Sequence, residues 1–385
     1  MKVLLVTNFA PDAQESMLRF GRMLATGLAA HGIEASTLSP TPVLSRLARP
    51  YRYRGWPKWL GYFDKFIVFP WRLRRAIRIE RPDVIHIVDH GNSGYRLAAG
   101  SRPLLVTCHD LLEIRAASGE IPLHRPGRSG RLFQRWILGH LSAAADVVCN
   151  SQQTRTELLR LGRREPDRTR LLYLGLNHPY APVPLAEATT RLRRLAPGPW
   201  SEESPGYYLN VGGGQWYKNR PGLLRTFAAL LQQSSDQPWL VLVGKPLSAA
   251  DAALVVELGI GRRLLGLANV SNADLAALYS CSLGLIFPSR EEGFGWPIAE
   301  ALACGCPVFT TQRAPMTEVG GDAAVYLDAD QPERAAALLL AARADASAMR
   351  ARGLVQAQRW NPDRMLGDYA CVYRQLAAAS PSPAP

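Results

Sequence analysis

Short apolar runs, each closed by a polar turn and followed by an amphipathic stretch, recur along almost the whole chain. The first is Lys2 to Thr7, followed by Met17 to Ala30, whose apolar spacing is helical and which stops at the C-capping glycine of His31-Gly32. The same pattern predicts strands at Asp83 to Val88, Leu104 to Cys108, Asp146 to Cys149 and Arg170 to Leu174, with helices near Phe63 to Glu80, Arg131 to Ala143 and Ser151 to Leu161. Strands separated by helices pair in parallel, and strands apolar on both faces need helices on both faces. A Pro-rich stretch, with Pro182 and Pro184 at one end and Pro199 and Pro205 at the other, interrupts the alternation. It then restarts, with strands predicted at Tyr207 to Val211, Trp239 to Val243, Leu283 to Phe287, Pro307 to Thr310 and Ala324 to Leu327. The expected fold class is α/β, two Rossmann-like doubly wound domains facing each other across a cleft. The expected layout is a first domain over 1–180, a linker over 181–206, a second domain over 207–361, a helix over 362–378 that packs back on the first domain, and a disordered Ser/Pro tail over 379–385.

Charge separates the two halves. Residues 1–200 hold 30 Lys and Arg against 15 Asp and Glu, whereas residues 201–385 hold 15 against 17. The excess is densest over 46–81, where Arg and Lys interleave with Tyr51, Tyr53, Trp56, Trp59, Tyr62, Phe63, Phe66, Phe69 and Trp71. Such a segment suits contact with an anionic membrane surface, since the cations feel the negative leaflet and aromatic rings sit at headgroup depth. Buried helix packing is the alternative reading of the rings, and nucleic acid is the weakest of the three. No run is long and apolar enough for a spanning helix and no leader is evident, so the expected location is cytoplasmic, peripheral at the inner membrane face. The six scattered cysteines read as reduced thiols, and no metal site is expected.

The segment richest in chemistry runs from Phe287 to Ala301, where a strand ends and a helix begins. Gly293-Phe294-Gly295 can bring main-chain N–H groups close to a ligand, and Pro297 suits a first helical turn. Glu292 lies in the loop and Glu300 eight residues later on the helix, so the two carboxylates can address different parts of one long ligand. A second loop, Val211 to Asn219, also joins strand to helix and carries Gly213, Lys218 and Asn219 where a diphosphate would sit. Lys218 is one of only five lysines, and its ammonium suits stabilisation of a departing diphosphate.

These residues resemble glycosyltransferase family 4, the retaining glycosyl transferases of group 1 with the GT-B fold. The carboxylate pair matches the family's E-x7-E signature, and Ala301 to Val308 its continuation. The resemblance implies that Glu292 sits at the donor sugar, that Glu300 binds the nucleotide ribose, and that Gly293, Phe294 and Gly295 offer amides to sugar and diphosphate. It implies Lys218 as the phosphate lysine and, from Thr107-Cys108-His109-Asp110, His109 beside the reacting carbon. His86, Asp89 and His90 resemble a further segment lining the cleft. Base contacts are expected from the loops at Gly244-Lys245-Pro246 and Leu267-Ala268-Asn269-Val270. Two departures stand out. Gly213 occupies the place of the usual arginine, leaving Arg220 as its candidate substitute. The loop Asn8 to Met17 lacks the usual glycine pair, so Gln14, Ser16 and the following helix amides would replace it.

The resemblance thus implies catalytic roles for Glu292, His109 and Lys218, and donor contacts from Ser16, Gly213, Lys218, Asn219, Asn269, Val270, Glu292, Gly293, Phe294, Gly295 and Glu300. The donor would be a UDP-, GDP- or ADP-sugar with no cofactor required, and the acceptor a glycan or lipid-linked glycan. A sugar-nucleotide epimerase or hydrolase on the same fold, or a non-catalytic binder of anionic surfaces, would use the same features differently.

Overall fold

The computed structural model describes residues 1–48, 55–200 and 204–379. Tyr51, Tyr53 and the tail from 380 onward lie outside the described residues, as do 201–203 of the Pro-rich stretch. The chain divides into two compact units, Met1–Asn177 together with the segment that begins at Pro362, and His178–Asn361.

Each unit is built on one six-stranded, wholly parallel sheet. The first contains β1 (Lys2–Val6), β2 (Glu34–Leu38), β3 (Val84–Ile87), β4 (Leu104–Cys108), β5 (Asp146–Cys149) and β6 (Thr169–Leu171), in the order β2-β1-β3-β4-β5-β6. The second contains β7 (Tyr207–Gly212), β8 (Trp239–Gly244), β9 (Leu264–Leu267), β10 (Gly284–Phe287), β11 (Val308–Thr311) and β12 (Ala324–Leu327), in the order β12-β11-β10-β7-β8-β9. Strand order reverses between β1 and β3 in one sheet and between β7 and β10 in the other, which opens a crevice at the carboxyl edge of each. The strands are apolar because both faces are covered: β3, β4 and β5 are buried at every position, as are β10 and β11. The α/β class with two doubly wound sheets is therefore as expected.

The two strands that the pattern did not announce, β2 and β9, are both sheet edges. Partial exposure removes the pressure for an apolar run in β2, which reads Glu-Ala-Ser-Thr-Leu, whereas β9 is a short Leu-Leu-Gly-Leu strand. The Pro-rich stretch is not plain linker either. Pro184 starts a helix over Leu185–Leu195 that buries Ala188 and Leu192 and packs on the helix Asn272–Cys281.

The helix Pro362–Ala378 is part of the first unit. It buries Tyr369 and Tyr373 beside β3, and Leu366 against Gly27, where a Cβ would lie 2.3 Å from a Leu366 methyl. His86, wholly buried on β3, joins this helix to the sheet: Nδ1 lies 2.7 Å from the Tyr373 hydroxyl and Nε2 lies 2.8 Å from Thr107 Oγ1. Burial, then the nearby His109, push the His86 imidazole down to about 3. His86 thus belongs to the core rather than to a ligand-facing loop.

Candidate active site

In the second unit, the loops after β7 and β10 emerge side by side at the carboxyl edge of the sheet. Their backbones are tied, because the Arg290 N–H donates to the Tyr217 carbonyl at 2.7 Å. That contact aligns two side chains 74 positions apart: Lys218 Nζ donates to Glu292 Oε1 at 2.6 Å, with only 17% and 10% of the two side chains exposed. Lys218 also stands 4.8 Å from the Phe287 ring centre, so the ammonium is flanked by a carboxylate and an aromatic face. Asn219 is buried in a left-handed conformation, φ 51°, at the start of the helix Arg220–Gln233, and its Oδ1 accepts from Arg290 Nη2 at 3.4 Å. Arg290 is itself held by a two-pronged pair with Asp330.

Gly295 has φ 104° and precedes the helix Trp296–Ala303, so a side chain there would strain the turn that aims the preceding amides. Phe294 is buried with its ring edge-on to Trp360, which anchors the loop, while Gly293 stays part-exposed. Glu300 is buried on that helix, and its Oε2 accepts from the Tyr279 hydroxyl at 3.1 Å. Burial, then this carboxylate, push the Tyr279 hydroxyl well above its ordinary range, so it remains a donor. Ser289, two residues past the end of β10, has a buried hydroxyl with no hydrogen-bond partner among the described residues.

Gly213 leaves room that a side chain would close, because a Cβ would lie 2.3 Å from Gln215 Oε1. At the last residue of β8, Gly244 approaches its register partner Gly212 so closely that a Cβ would meet its carbonyl oxygen at 2.2 Å. Arg220 secures this approach. Its buried guanidinium donates to the carbonyls of Lys245, Pro246 and Gly212 at 3.2 to 3.4 Å, so it braces the loop after β8. After β9, Asn269 is exposed in a left-handed conformation, φ 55°, and Val270 is part-exposed. The four loops after β10, β7, β8 and β9 therefore share one sheet edge.

In the first unit, the loops after β1 and β3 meet at the switch point. Asn8, buried, donates to Asp89 Oδ2 and to Gln14 Oε1, and Asn92 donates to its Oδ1 at 3.2 Å. Gln14 is thus engaged with Asn8, and the helix Glu15–Gly27 begins two residues before the Met17 start, leaving Ser16 exposed in its first turn. Burial alone would raise the Asp89 carboxyl, but His90, His109, Asn8 and the Gly91 N–H outweigh it and hold Asp89 ionised below its ordinary range. His109 is buried at the end of β4. Its Nε2 lies 2.8 Å from the Val88 carbonyl, which can only accept, so the proton sits on Nε2 and Nδ1 accepts from Asn150 Nδ2 at 3.3 Å. Burial lowers its basicity and outweighs the raising effect of Asp89, which keeps the ring neutral. Asn150, at the end of β5, was not singled out by the sequence; an asparagine in an unremarkable Cys-Asn-Ser turn carries no signal until the fold sets it beside His109. Among the described residues no group of three or more His, Cys, Asp or Glu is arranged to hold a metal ion.

Comparison with known proteins gives the same picture for both units. Residues 19–178 match the model of Glycosyltransferase Family 4, and residues 198–353 that of Glycosyl transferases group 1. The chain is 30% identical over 262 residues to O-antigen chain mannosyltransferase B of Escherichia coli, covering 66% of this chain and 67% of that one. It is 26% identical over 239 residues to D-inositol 3-phosphate glycosyltransferase of Corynebacterium diphtheriae, covering 60% of this chain and 54% of the relative. Among solved structures, sucrose-phosphate synthase from Thermosynechococcus elongatus superposes with a TM-score of 0.76 at 22% identity, over 99% of this chain and 100% of that one. HepE from Anabaena, in complex with UDP and glucose, superposes with a TM-score of 0.71 at 16% identity, over 97% and 99%. The chain belongs to glycosyltransferase family 4 and is a glycosyltransferase of the GT-B fold class.

Proposed function

We propose that the chain transfers a sugar from a nucleotide diphosphate donor to a glycan or lipid-linked acceptor, with retention at the anomeric carbon, in polysaccharide or glycoconjugate synthesis. The observation that carries this reading is the ion pair between Lys218 and Glu292 at the switch point of the second sheet. An ammonium held against a carboxylate in a shielded loop is poised for exchange. An arriving diphosphate takes the ammonium, and Glu292 is released to accept from sugar hydroxyls. As the bond from the anomeric carbon to the diphosphate oxygen breaks, Lys218 stabilises the charge left behind. The acceptor hydroxyl bonds to that carbon on the same face, and its proton passes to the departing phosphate oxygen.

Glu300, with Oε2 steadied by Tyr279, accepts from ribose hydroxyls. The loops at Gly244 to Pro246 and at Asn269-Val270 meet the base through backbone groups, and Gly293 to Gly295 offer amides to sugar and phosphate. His109 serves the reacting end as a neutral ring, and Nδ1 becomes available to a sugar hydroxyl only when Asn150 yields it. The relatives' names concern an O-antigen chain and an inositol phosphate, both polyhydroxyl acceptors, and the basic aromatic segment over 46–81 favours a lipid-linked acceptor at the inner, anionic membrane face.

The test is nucleoside diphosphate release from UDP-, GDP- and ADP-sugars with and without a polyprenyl-linked glycan acceptor, followed by NMR of the product's anomeric proton. Acceptor-dependent release with the donor's configuration preserved is expected. Release without acceptor, or an inverted product, would overturn the reading.

A further inference from the structure

The helical run from Trp56 to Glu80 has an exposed row that its own sequence only half reveals. Trp56, Trp59, Phe63, Ile67 and Trp71, spaced by three and four, are between 45% and 64% exposed, whereas Phe69, Leu73 and Ile77 are buried in the core. The exposed row continues as Arg74 and Arg78. A turn of π-helix at Asp64–Val68 lies inside this run, and it is locked from beneath: the Val43, Leu44 and Ser45 amides donate to Asp64 at 2.9 to 3.0 Å, and Lys65 pairs with Asp12 at 2.6 Å. The row is therefore held outward by a fixed inner face.

A second helix extends it. The helix Arg128–Ser142 exposes Leu132 and Trp136, one turn apart, with Arg128, Arg131 and Arg135 exposed around them. Aromatic contacts join the two helices edge to edge: Trp59 meets Tyr62, Tyr62 stacks on Phe133 at 5.6 Å, and Phe133 stacks on Trp136 at 5.8 Å. Acidic residues are scarce along these two helices, and the exposed Glu80, at the very end of the first run, accepts from the Ser36 hydroxyl at 2.7 Å. Asp64 is the sole carboxylate between Val43 and Ile79 and is buried, and the sequence from Ile121 to Ser142 has none. No described helix is long and apolar enough to cross a membrane.

We propose that these two helices form one platform that docks on an anionic bilayer surface, with the Trp/Phe/Ile row and Leu132/Trp136 at headgroup depth and the arginines of both helices on lipid phosphates. The proposal rests on the membrane-facing acceptor reading above, and it extends the docking face to a helix outside the segment that composition singles out. Bulk charge alone would be satisfied by the first helix; the aromatic bridge and the acid-free second helix require both.

The test is co-sedimentation of the full chain with phosphatidylcholine vesicles, with and without 30 mol% phosphatidylglycerol, at low and high salt. Wild type is expected on the anionic vesicles only, with binding weakened by salt. Neutralising Arg131 and Arg135 (R131Q/R135Q) should weaken partition roughly thirty-fold, and neutralising Arg74 and Arg78 (R74Q/R78Q) by a similar factor. Ile67→Glu and Leu132→Glu should each reduce it further, with melting temperatures and the thermal shift by donor unchanged. Equal binding of R131Q/R135Q and wild type would overturn the two-helix platform, as would absence of wild-type binding. Stripe variants that change sedimentation velocity in solution instead of vesicle binding would assign the face to a second copy of the chain and overturn it too. A donor shift that survives any of these outcomes leaves the sugar-transfer reading intact, so the two fail separately.

Discussion

Lys218 Nζ sits 2.6 Å from Glu292 Oε1, although the two residues lie on loops after different strands, β7 and β10. The pair is mostly shielded from solvent, and a nucleotide diphosphate competes with the carboxylate for the ammonium. Lys218→Ala should lower kcat about 100-fold or more, the scale of losing one preorganised charge at a leaving group. A double-mutant cycle with Glu292→Gln checks the exchange. Coupling between the two should be measurable in the free protein and should shrink when donor saturates the site; coupling that is unchanged by donor would show that the pair is structural only.

Glu300 is expected to act on binding more than on turnover. Glu300→Gln keeps the shape but loses a charged acceptor for ribose hydroxyls, which is worth about 1.5–3 kcal/mol. Donor affinity should fall roughly ten- to a hundred-fold, and a donor lacking ribose hydroxyls should bind the variant and the wild type alike. Isothermal titration with both donors measures this directly.

Gly244→Ala tests the backbone geometry. Its Cβ would lie 2.2 Å from the Gly212 carbonyl, and its φ of 133° disfavours any side chain. The loops after β7 and β8 must part, which should weaken nucleotide binding and cost on the order of 1–3 kcal/mol in stability. Gly266→Ala, at a position with open space around it, is the matched control and should be near neutral in chemical denaturation.

The buried imidazoles fix a pH dependence. His86 has its basicity pushed down to about 3, and His109 is lowered as well, both chiefly by burial. Below the unfolded value near 6.5 the unfolded chain binds protons that the folded chain refuses. Stability contributed by these neutral rings is therefore complete above about pH 6.5 and is lost as pH falls toward His86's folded value, by up to about 1.4 kcal/mol per pH unit for each ring. His86→Gln should flatten the slope of unfolding free energy between about pH 6 and 4 relative to wild type. A slope that does not change would contradict a neutral, buried His86.

Legibility in the sequence followed burial. Leu104–Cys108 and Asp146–Cys149 are buried throughout and could be read to the residue, while the edge strand Glu34–Leu38 is half-covered and carries no apolar run, and the edge strand Leu264–Leu267 is four residues long with an exposed glycine in it. The Glu292 to Glu300 segment was readable because glycines, Pro297 and two acids fall within one strand-to-helix turn. What no spacing could give were relations across the fold. The bond from Lys218 to Glu292 spans 74 residues, Arg220 turns inward onto the Lys245 carbonyl, and Asn150 closes on His109 from another strand. The basic aromatic segment read equally well as core or surface, and the structure divides it, with Phe69 inside and Trp59 outside.

The most direct test of the central claim, a nucleotide-sugar site centred on Lys218 and Glu292, is the melting temperature of wild type and Lys218→Ala against a panel of UDP-, GDP- and ADP-sugars. A ligand that binds only the folded chain raises the transition, by about 2.7 kcal/mol of stability at a hundred times its dissociation constant. The expected result is a rise with the sugars of one nucleotide in the wild type and none in Lys218→Ala at the same concentrations. An equal rise in both proteins, or no rise with any member of the panel, would contradict the assignment.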